Sequence, residues 1–426
     1  MKVSLITLGC KVNQYESEAI AEALAVHGFE AVPFGERADV TIINTCTVTT
    51  EGERKARQMV RRAIAVSPDA YIVVTGCAAQ LNPGSFSAIE GVDAVVGNGK
   101  KMETVACILR HFKEKEDALL CPDDSFNLDT FEPMSIEKSE RTRAYIKIED
   151  GCDSHCAYCS IRKARGKVRS KPVEDVVAEA CRLVESGYRE LVLTGIEISA
   201  YGKDLGYDLL TLLERLDAIP NMARLRLGSL DPSMMKDEII SRLAKLEKLC
   251  RHFHLSLQSG CSATLAAMKR KNNAPFAENA MEKLRAAMPD ATFTADIIVG
   301  FPGESEEDFQ ETAAFLNRVN LLDCHIFAFS PRPDTEAATM KGQIHGEVKA
   351  EREKRLSAIC KETQRRVLES FLHTKAEVLF EEAVDGYAIG HTANYIEVRL
   401  KTEEDLHNTL KTVTLTAIDG SSMMAE

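Results

Sequence analysis

The sequence predicts an α/β protein of three parts: an N-terminal parallel-sheet α/β domain, a central partial (β/α)6 barrel and a small C-terminal antiparallel β-barrel. Three observations predict it. Over residues 1–112, short apolar, β-branched runs alternate with helix-like periodicity. Six further strand-like runs, most of them separated by helical stretches, fill residues 141–368. From residue 369 to 426 apolar and polar residues alternate between Gly, Asn and Asp turns.

At 426 residues the chain is long enough for two or three cores. A hydrophobic content of 45% is ordinary for a soluble protein, and no apolar run approaches a membrane span. The opening MKVSLITLGC is too short and strand-like for a signal peptide. With 13 cysteines and no export signal, the expected compartment is the cytoplasm, where thiols are catalytic or metal-binding rather than paired. The 53 Lys+Arg against 65 Asp+Glu argue against a generic nucleic-acid binder, so any such role needs local basic patches.

The first strand, KVSLITLG, ends at Cys10 and is followed by a helix with Ala19, Ile20, Ala23 and Leu24 on one face and Gly28 as its stop. The unit repeats: DVTIINT ends at Cys46, before a helix closed by Ser67-Pro68, and AYIVVTG ends at Cys77. Strands alternating with helices form a parallel sheet whose strand ends share one edge, the edge where such folds place ligands. Cys10, Cys46 and Cys77 are therefore expected to converge; the competing reading is three unrelated core thiols. Residues 97–101 (GNGKK) fail as a phosphate loop, because Ala94 stands where the first glycine belongs and Lys101 replaces the magnesium-binding hydroxyl. Residues 113–140, with nine acids, three lysines, Pro122 and Pro133, read as a linker.

The central runs are residues 144–150, 190–195, 224–230, 252–260, 293–300 and 324–330. Partial barrels of this kind carry their chemistry at strand C-termini. Directly after the first run, GCDSHCAYCS sets Cys152, Cys156 and Cys159 in a CxxxCxxC spacing. Clustered thiolates select zinc, copper(I) or an iron–sulfur cluster. Three of them on a four-iron cube leave one iron open to a reactant; a zinc knuckle completed by His155 is the alternative. Cys107, Cys121, Cys181, Cys250, Cys261, Cys324 and Cys360 are isolated and read as ordinary buried thiols. Basic residues gather in Arg162, Lys163, Arg165, Lys167, Arg169 and Lys171, in Arg54, Arg57 and Arg61, and in Lys269, Arg270 and Lys271. Each group is either a solvated face or a set of phosphate anchors. Residues 347–370 form a charged helical stretch before the β-rich tail.

The CxxxCxxC spacing with Tyr158 just before its last cysteine resembles the signature of the radical S-adenosylmethionine (SAM) enzymes. The opening LGCKVNQYESE, with NTC at Cys46 and TGC at Cys77, is similar to the N-terminal domain of the methylthiotransferases. HLSLQSG, DIIVGFPGE and Ala164–Gly166 resemble that family's radical-SAM core, and GHTANYIEV looks like its TRAM domain, a β-barrel associated with RNA binding. Within the family, KVNQYESE most resembles the subgroup that modifies N6-threonylcarbamoyladenosine beside the tRNA anticodon.

The resemblance implies two [4Fe–4S] clusters, one on Cys152, Cys156 and Cys159 and an auxiliary, sulfur-carrying one on Cys10, Cys46 and Cys77. One SAM would methylate that sulfur, and a second would give the radical that removes hydrogen from C2 of the adenine, where the methylthio group then joins. An aromatic C–H has no acidic proton, so no catalytic acid or base is singled out. The resemblance further puts Tyr158, Gly195, Ser256 and Gln258 near SAM, and it implies tRNA, a sulfur source and a low-potential electron donor as partners. Methylthiolation of a ribosomal-protein aspartate is the second enzymatic reading; a non-catalytic iron–sulfur redox or RNA-binding protein is the reading from another class. The chain departs from the family at Arg162 and Lys163, which stand in place of a proline and an aromatic, and at Glu197 and Cys261. Arg162 and Lys163 are candidates either for the substrate's carboxylate or for backbone phosphate. From residue 371 onward four Lys+Arg face ten Asp+Glu, which weakens an RNA-binding role for the tail.

Overall fold

Runs rich in β-branched residues bury both faces of a strand, and in the computed structural model every residue of β3 (Val40–Thr45) and β4 (Tyr71–Gly76) is buried. They lie at the centre of a six-stranded, wholly parallel sheet of order β2-β1-β3-β4-β5-β6, with β1 at Lys2–Thr7, β2 at Glu30–Val32, β5 at Ala94–Val96 and β6 at Leu120–Cys121. One face packs Val3, Ile42 and Val73 against Ile20 and Ile108, and the other packs Ile43 and Val74 against Val60 and Phe86. The structure describes residues 1–47, 50–114, 120–121, 127–139 and 141–426; the side chains of Thr50, Glu114, Leu120 and Cys121 lie outside the described residues.

Helix α1 (Lys11–Val26) joins two cores: Ile20 and Leu24 enter the N-terminal core, while Tyr15 and Ala19 enter the central one. Its buried positions recur every three or four residues, so one helix meets both partners. Helix α2 (Thr50–Val66) covers the sheet, and the five-residue α3 (Cys77–Leu81) follows β4.

The 113–140 segment is not a free linker in its described parts. Beyond β6, which extends the sheet, Glu132 accepts from the backbone N–H groups of Lys101 (2.7 Å) and Met102 (2.9 Å). The Met134 carbonyl accepts from Tyr15 (2.9 Å) and Lys171 (2.7 Å), and the Ile136 N–H donates to Glu179 (2.8 Å). Residues 115–119, 122–126 and 140 lie outside the described residues.

The central strands are β7 (Arg143–Lys147), β10 (Glu190–Thr194), β11 (Arg224–Leu227), β12 (Ser229–Leu230), β13 (His252–Gln258), β14 (Thr292–Val299) and β15 (Asp323–Ala328). All neighbouring pairs are parallel, in the orders β11-β10-β7 and β12-β13-β14-β15. Because β12 follows β11 after one residue, the array is a six-position partial barrel, with no ladder from β15 to β7 among the described residues. Leu191, Leu225, Phe253, Leu255, Phe293 and Ala295 pack outward on helices. The intervening Glu190, Arg226, His254, Asp296 and His325 face a polar lumen. A two-stranded antiparallel pair, β8 (Glu149–Asp150) with β9 (Arg169–Ser170), brackets the three-cysteine loop.

The tail forms a closed five-stranded barrel of β16 (Lys375–Val384), β17 (Tyr387–Thr392), β18 (Glu397–Lys401), β19 (Thr409–Asp419) and β20 (Ser422–Ala425). The predicted antiparallel barrel has one parallel seam, between β18 and β20. It sits under the N-terminal ends of the central strands. Arg224 donates to the carbonyls of His391 (2.9 Å) and Glu377 (2.6 Å), and Arg226 donates to that of Ala393 (3.1 Å). Tyr395 stacks on His252 at 4.6 Å with the Arg226 guanidinium 4.9 Å from its ring centre, plugging the end of the lumen opposite the cysteines. No helix among the described residues is long and apolar enough to cross a membrane.

Candidate active site

The three N-terminal cysteines sit where parallel winding sends them: Cys10 caps α1, Cys46 follows β3 and Cys77 opens α3. Gly76 has φ of 102°, and a Cβ there would stand 2.3 Å from the Thr45 carbonyl oxygen. Only glycine lets the end of β4 press on the end of β3, which brings Cys77 beside Cys46. A Cβ on Gly9 would lie 3.2 Å from that of Cys46, so the first loop is equally close. Asn13 Oδ1 accepts from the Cys10 thiol (3.3 Å) and from Arg165 Nη2 (3.1 Å), and Arg165 Nε donates to Cys77 Sγ (3.3 Å). Arg165, a residue of the central domain, thus links Cys77 to Cys10 through Asn13.

That residue anchors a buried ionic network. Arg165 donates to Glu16 (2.7 Å) and Asp150 (3.0 Å), and Lys147 donates to both carboxylates at 2.7 Å. Lys101, the residue that spoiled the phosphate-loop reading, lies 3.5 Å from Glu16 and donates to Asn98 at 2.8 Å. Burial pushes both carboxyls up, but Arg165 and the lysines outweigh it. Glu16 is held well below the carboxylate range, and Asp150 is brought down to about 2.

In the second set Gly151 turns the chain out of β8 with φ of 87°, and a Cβ there would fall 1.9 Å from the Lys167 carbonyl oxygen. Backbone bonds fix the loop that follows: Cys152 N–H to Gly166 (3.0 Å), Ala157 N–H to Met268 (3.0 Å) and Cys159 N–H to Cys156 (3.1 Å). His155, the residue that would complete a zinc knuckle, contacts Arg162 through Nε2. Burial raises the Cys10 and Cys152 thiols and pushes Cys159 up to about 12. Cys10 and Cys159 are solvent-accessible although protein surrounds them, as in the wall of a concavity. Thiols of this kind are inert until a metal centre takes them as thiolates.

The four residues placed near SAM all border this loop or end a neighbouring strand. Tyr158 packs on Met268, Phe301 and Phe329, with burial raising its phenol well above its ordinary value. Gly195 follows β10; a Cβ there would lie 2.8 Å from Glu149 Oε2, which accepts from the N–H groups of Ile196 (2.8 Å) and Glu197 (2.7 Å). Ser256 bonds Ser229 (2.7 Å), and Gln258 takes φ of 69° at a register shift on β14. Arg270 ties the group together: it donates to Ser256 O (2.8 Å) and Asp231 (2.7 Å), with Cys156 Sγ at 3.6 Å. Sequence reasoning missed Glu149, Asp231, Arg270 and Asn272 as site residues. Arg270 was visible only as one of three consecutive cations, and no spacing marked the others. Glu149 Oε1, Glu197 Oε1, Arg270 Nε and both amide atoms of Asn272 are buried without a partner. Such orphaned groups fit a polar ligand, with its own donors and acceptors, seated beside the three cysteines.

The basic run after Cys159 is not one surface. Arg165, Arg169 and Lys171 are buried; Arg169 donates to the carbonyls of Arg165 (2.8 Å) and Lys167 (3.0 Å), and Lys171 pairs with Glu179. Lys163 and Lys167 are exposed, and Lys163 donates to the Asp334 carbonyl (2.6 Å). In the other groups Arg54 pairs with Glu51 (2.5 Å), Arg57 with Glu53 (3.4 Å) and Lys269 with Glu336. Of the isolated thiols, Cys107, Cys250, Cys261 and Cys360 are buried and Cys181 and Cys324 are half-buried, while the Cys121 side chain lies outside the described residues. A surface groove of about 900 Å³ along the C-terminal half of α1 holds none of the ten predicted site residues.

Residues 146–316 match the Radical SAM superfamily, and residues 2–97 match an uncharacterized protein family, UPF0004. The chain is 38% identical over 412 residues to the threonylcarbamoyladenosine tRNA methylthiotransferase MtaB of Bacillus subtilis (strain 168), covering 95% of this chain and 91% of the relative. It is 38% identical to the MtaB of Thermotoga maritima, covering 93% and 90%. It is 32% identical to the tRNA-2-methylthio-N(6)-dimethylallyladenosine synthase of Hydrogenobaculum sp., covering 95% and 94%. Among solved structures, the radical SAM methyltransferase TsrM of Kitasatospora setae shares the fold, with a TM-score of 0.58 at 17% identity over 79% of this chain and 77% of that one. SAM and [4Fe–4S] iron–sulfur chemistry are the cofactors of this family, and the non-catalytic reading is set aside. This chain belongs to the radical SAM family of tRNA methylthiotransferases and is an enzyme of that type.

Proposed function

We propose that this enzyme methylthiolates C2 of N6-threonylcarbamoyladenosine next to the anticodon of tRNA. In this reading Cys152, Cys156 and Cys159 hold the SAM-cleaving [4Fe–4S] cluster, and Cys10, Cys46 and Cys77 hold an auxiliary one. The observation that carries it is Arg165: six residues after Cys159, it donates to Cys77 and shares Asn13 with Cys10. Arg165 thus ties the segment that follows the second thiol set to the first thiol set. When bound, the clusters and SAM supply both the radical that takes the C2 hydrogen and the methylthio group that replaces it.

The chain's own residues bind and orient. Arg270 fixes the Ser256 strand end against the three-cysteine loop, while Glu149, Glu197 and Asn272 offer unspent polar atoms to the polar groups of SAM. Tyr158 supplies an apolar wall through Met268 and Phe301. Tyr395 and the C-terminal barrel close the far end of the lumen, which keeps bulk water from a reactive radical. Two relatives named for threonylcarbamoyladenosine, each near nine-tenths covered, favour that base over dimethylallyladenosine and over a protein aspartate. The reaction also needs a sulfur source and a low-potential electron donor, and its place is the cytoplasm, with tRNA.

Mass spectrometry of tRNA nucleosides from a deletion strain tests this. The methylthio form of threonylcarbamoyladenosine should vanish and its unthiolated precursor should accumulate. Unchanged tRNA with loss of a methylthio-aspartate in ribosomal protein would move the substrate to protein.

A further inference from the structure

Alternate residues of β13 line the lumen from one end to the other. His252 stacks on Tyr395 at the plugged end, and Ser256 stands where Arg270 ties the strand to the three-cysteine loop. His254 lies between them, two residues from each, or about 6.6 Å along the strand. The next two strands bring it partners. Thr294 of β14 pairs with His254, and Asp296 of β14 pairs with His325 of β15. Residues two apart share a strand face, so Thr294 and Asp296 both stand on the lumen side with the two histidines.

Both imidazoles turn a nitrogen toward the one carboxylate. His254 Nε2 stands 3.2 Å from Asp296 Oδ2, and His325 Nδ1 stands 3.2 Å from Oδ1. One ligand atom from each of the three residues lies within 4.8 Å of the other two. Charge-assisted bonds to a carboxylate favour about 2.7–2.9 Å. Two atoms held by one ion at about 2.1 Å stand about 3.0 Å apart in an octahedron and about 3.4 Å apart in a tetrahedron. Both observed separations fall in that second range. The remaining ring nitrogens face oxygen as well: His254 Nδ1 bonds Thr294 Oγ1 (2.8 Å), and His325 Nε2 lies 4.0 Å from Asp323. An imidazole that binds metal through one nitrogen is oriented in this way through the other.

We infer that His254, Asp296 and His325 bind one divalent first-row transition-metal ion in the lumen, apart from both cysteine sets. Two imidazoles and a carboxylate suit zinc, iron or nickel better than magnesium or calcium, which take oxygen ligands throughout. Three protein ligands also leave coordination positions open, and on this strand face those positions look into the lumen between the plug and the three-cysteine loop. The site stands whichever base the enzyme modifies. The competing reading is a plain ion pair, with both imidazoles donating to Asp296.

The test uses the full chain, without a histidine tag and with its cysteine sites already loaded with iron and sulfide. It is dialysed against micromolar cobalt(II), and bound metals are counted by elemental mass spectrometry. The wild type should hold one metal ion per chain more than His325→Gln or Asp296→Asn, at equal cluster absorbance and circular dichroism. His325 lies on the edge strand with its side chain 57% exposed, so His325→Gln keeps the fold and decides if Asp296→Asn does not. Thr294→Val, which removes the oxygen behind His254, should weaken cobalt binding about 10- to 100-fold. A wild type that holds no more metal than His325→Gln overturns the inference and leaves the ion pair. Cobalt affinity unchanged in all three variants overturns it too, and places the metal elsewhere.

Discussion

Cys152, Cys156 and Cys159 come from one loop, whereas Cys10, Cys46 and Cys77 come from three strand ends spread over the first 77 residues. The loop is shaped by backbone bonds, within it from Cys159 to Cys156 and outside it from Ala157 to Met268, and by Arg270. The dispersed set exists only because a parallel sheet has folded and because Gly76 lets two strand ends touch. A local site can be built by its ligand; a dispersed one must be built by its scaffold. The largest buried ionic cluster touches the dispersed set through Arg165, which pairs with Glu16 and Asp150 and donates to Cys77.

The largest effect expected is on the clusters themselves. Anaerobic reconstitution should load about eight irons per chain, about four per cube. Ala at Cys152, Cys156 and Cys159 should leave about half of that and abolish reductive SAM cleavage. Ala at Cys10, Cys46 and Cys77 should also leave half, but SAM cleavage should persist while methylthio transfer is lost. Loss of all iron from either triple variant would mean one shared site and break the comparison.

Next is the scaffold of the dispersed set. Arg165→Met removes the guanidinium between Glu16 and Asp150 and leaves Lys147 as the cation that both buried carboxylates share, a loss of about 3 kcal/mol, the low end for breaking a buried pair. Urea unfolding of the apo protein measures it. Arg270→Met, beside the local loop, should cost clearly less, because its single carboxylate partner is Asp231. Equal losses would show that the two sets do not differ in how they are held.

Acid should find the same difference. Asp150 titrates at about 2 in the folded chain, below its ordinary 3.8, so its contribution is full above the unfolded value and is lost as pH falls through about 2. The shift corresponds to about 2 kcal/mol. Glu16 is depressed in the same sense and adds to the loss. Circular dichroism of the apo protein at falling pH should show an acid transition, and Asp150→Asn should blunt its pH dependence. A pH dependence unaltered by that substitution would remove Asp150 from the account.

Much of this site was legible in residue order, for a physical reason. Parallel winding sends every strand end to one edge, so three cysteines after three strands already implied convergence, and the CxxxCxxC spacing needed no fold at all. What stayed hidden depends on partners distant in sequence. Residues 113–140 look like a linker in sequence, whereas Glu132 and the Met134 carbonyl bond to Lys101, Met102 and Tyr15, which no local pattern reveals. The closure of the lumen by Tyr395 needs two domains in register. The basic run misled for the same reason: one-dimensional charge does not tell a solvated cation from a buried one.

That run gives the smallest and last expected effect, and it sharpens the comparison within a single stretch of chain. Arg165, Arg169 and Lys171 are buried and serve the scaffold, so they are closed to RNA phosphate. Lys163 and Lys167 are exposed, and they flank the same Arg165 that braces the dispersed set. Lys163 is held by one backbone carbonyl, that of Asp334, which an RNA phosphate can replace as acceptor at little cost. Each phosphate contact releases counterions, so its loss flattens the salt dependence of tRNA binding by somewhat under one unit of slope. Lys163→Ala with Lys167→Ala should therefore lower the slope of log K against log salt by about 1 to 2 units. Arg162→Ala beside them should add at most one contact, since Arg162 is half-buried and touches His155. Binding titrations at several salt concentrations measure this. A slope unchanged in the double variant would make the exposed half of the run a solvated face, and the tRNA backbone would then have to be held from another surface of the molecule.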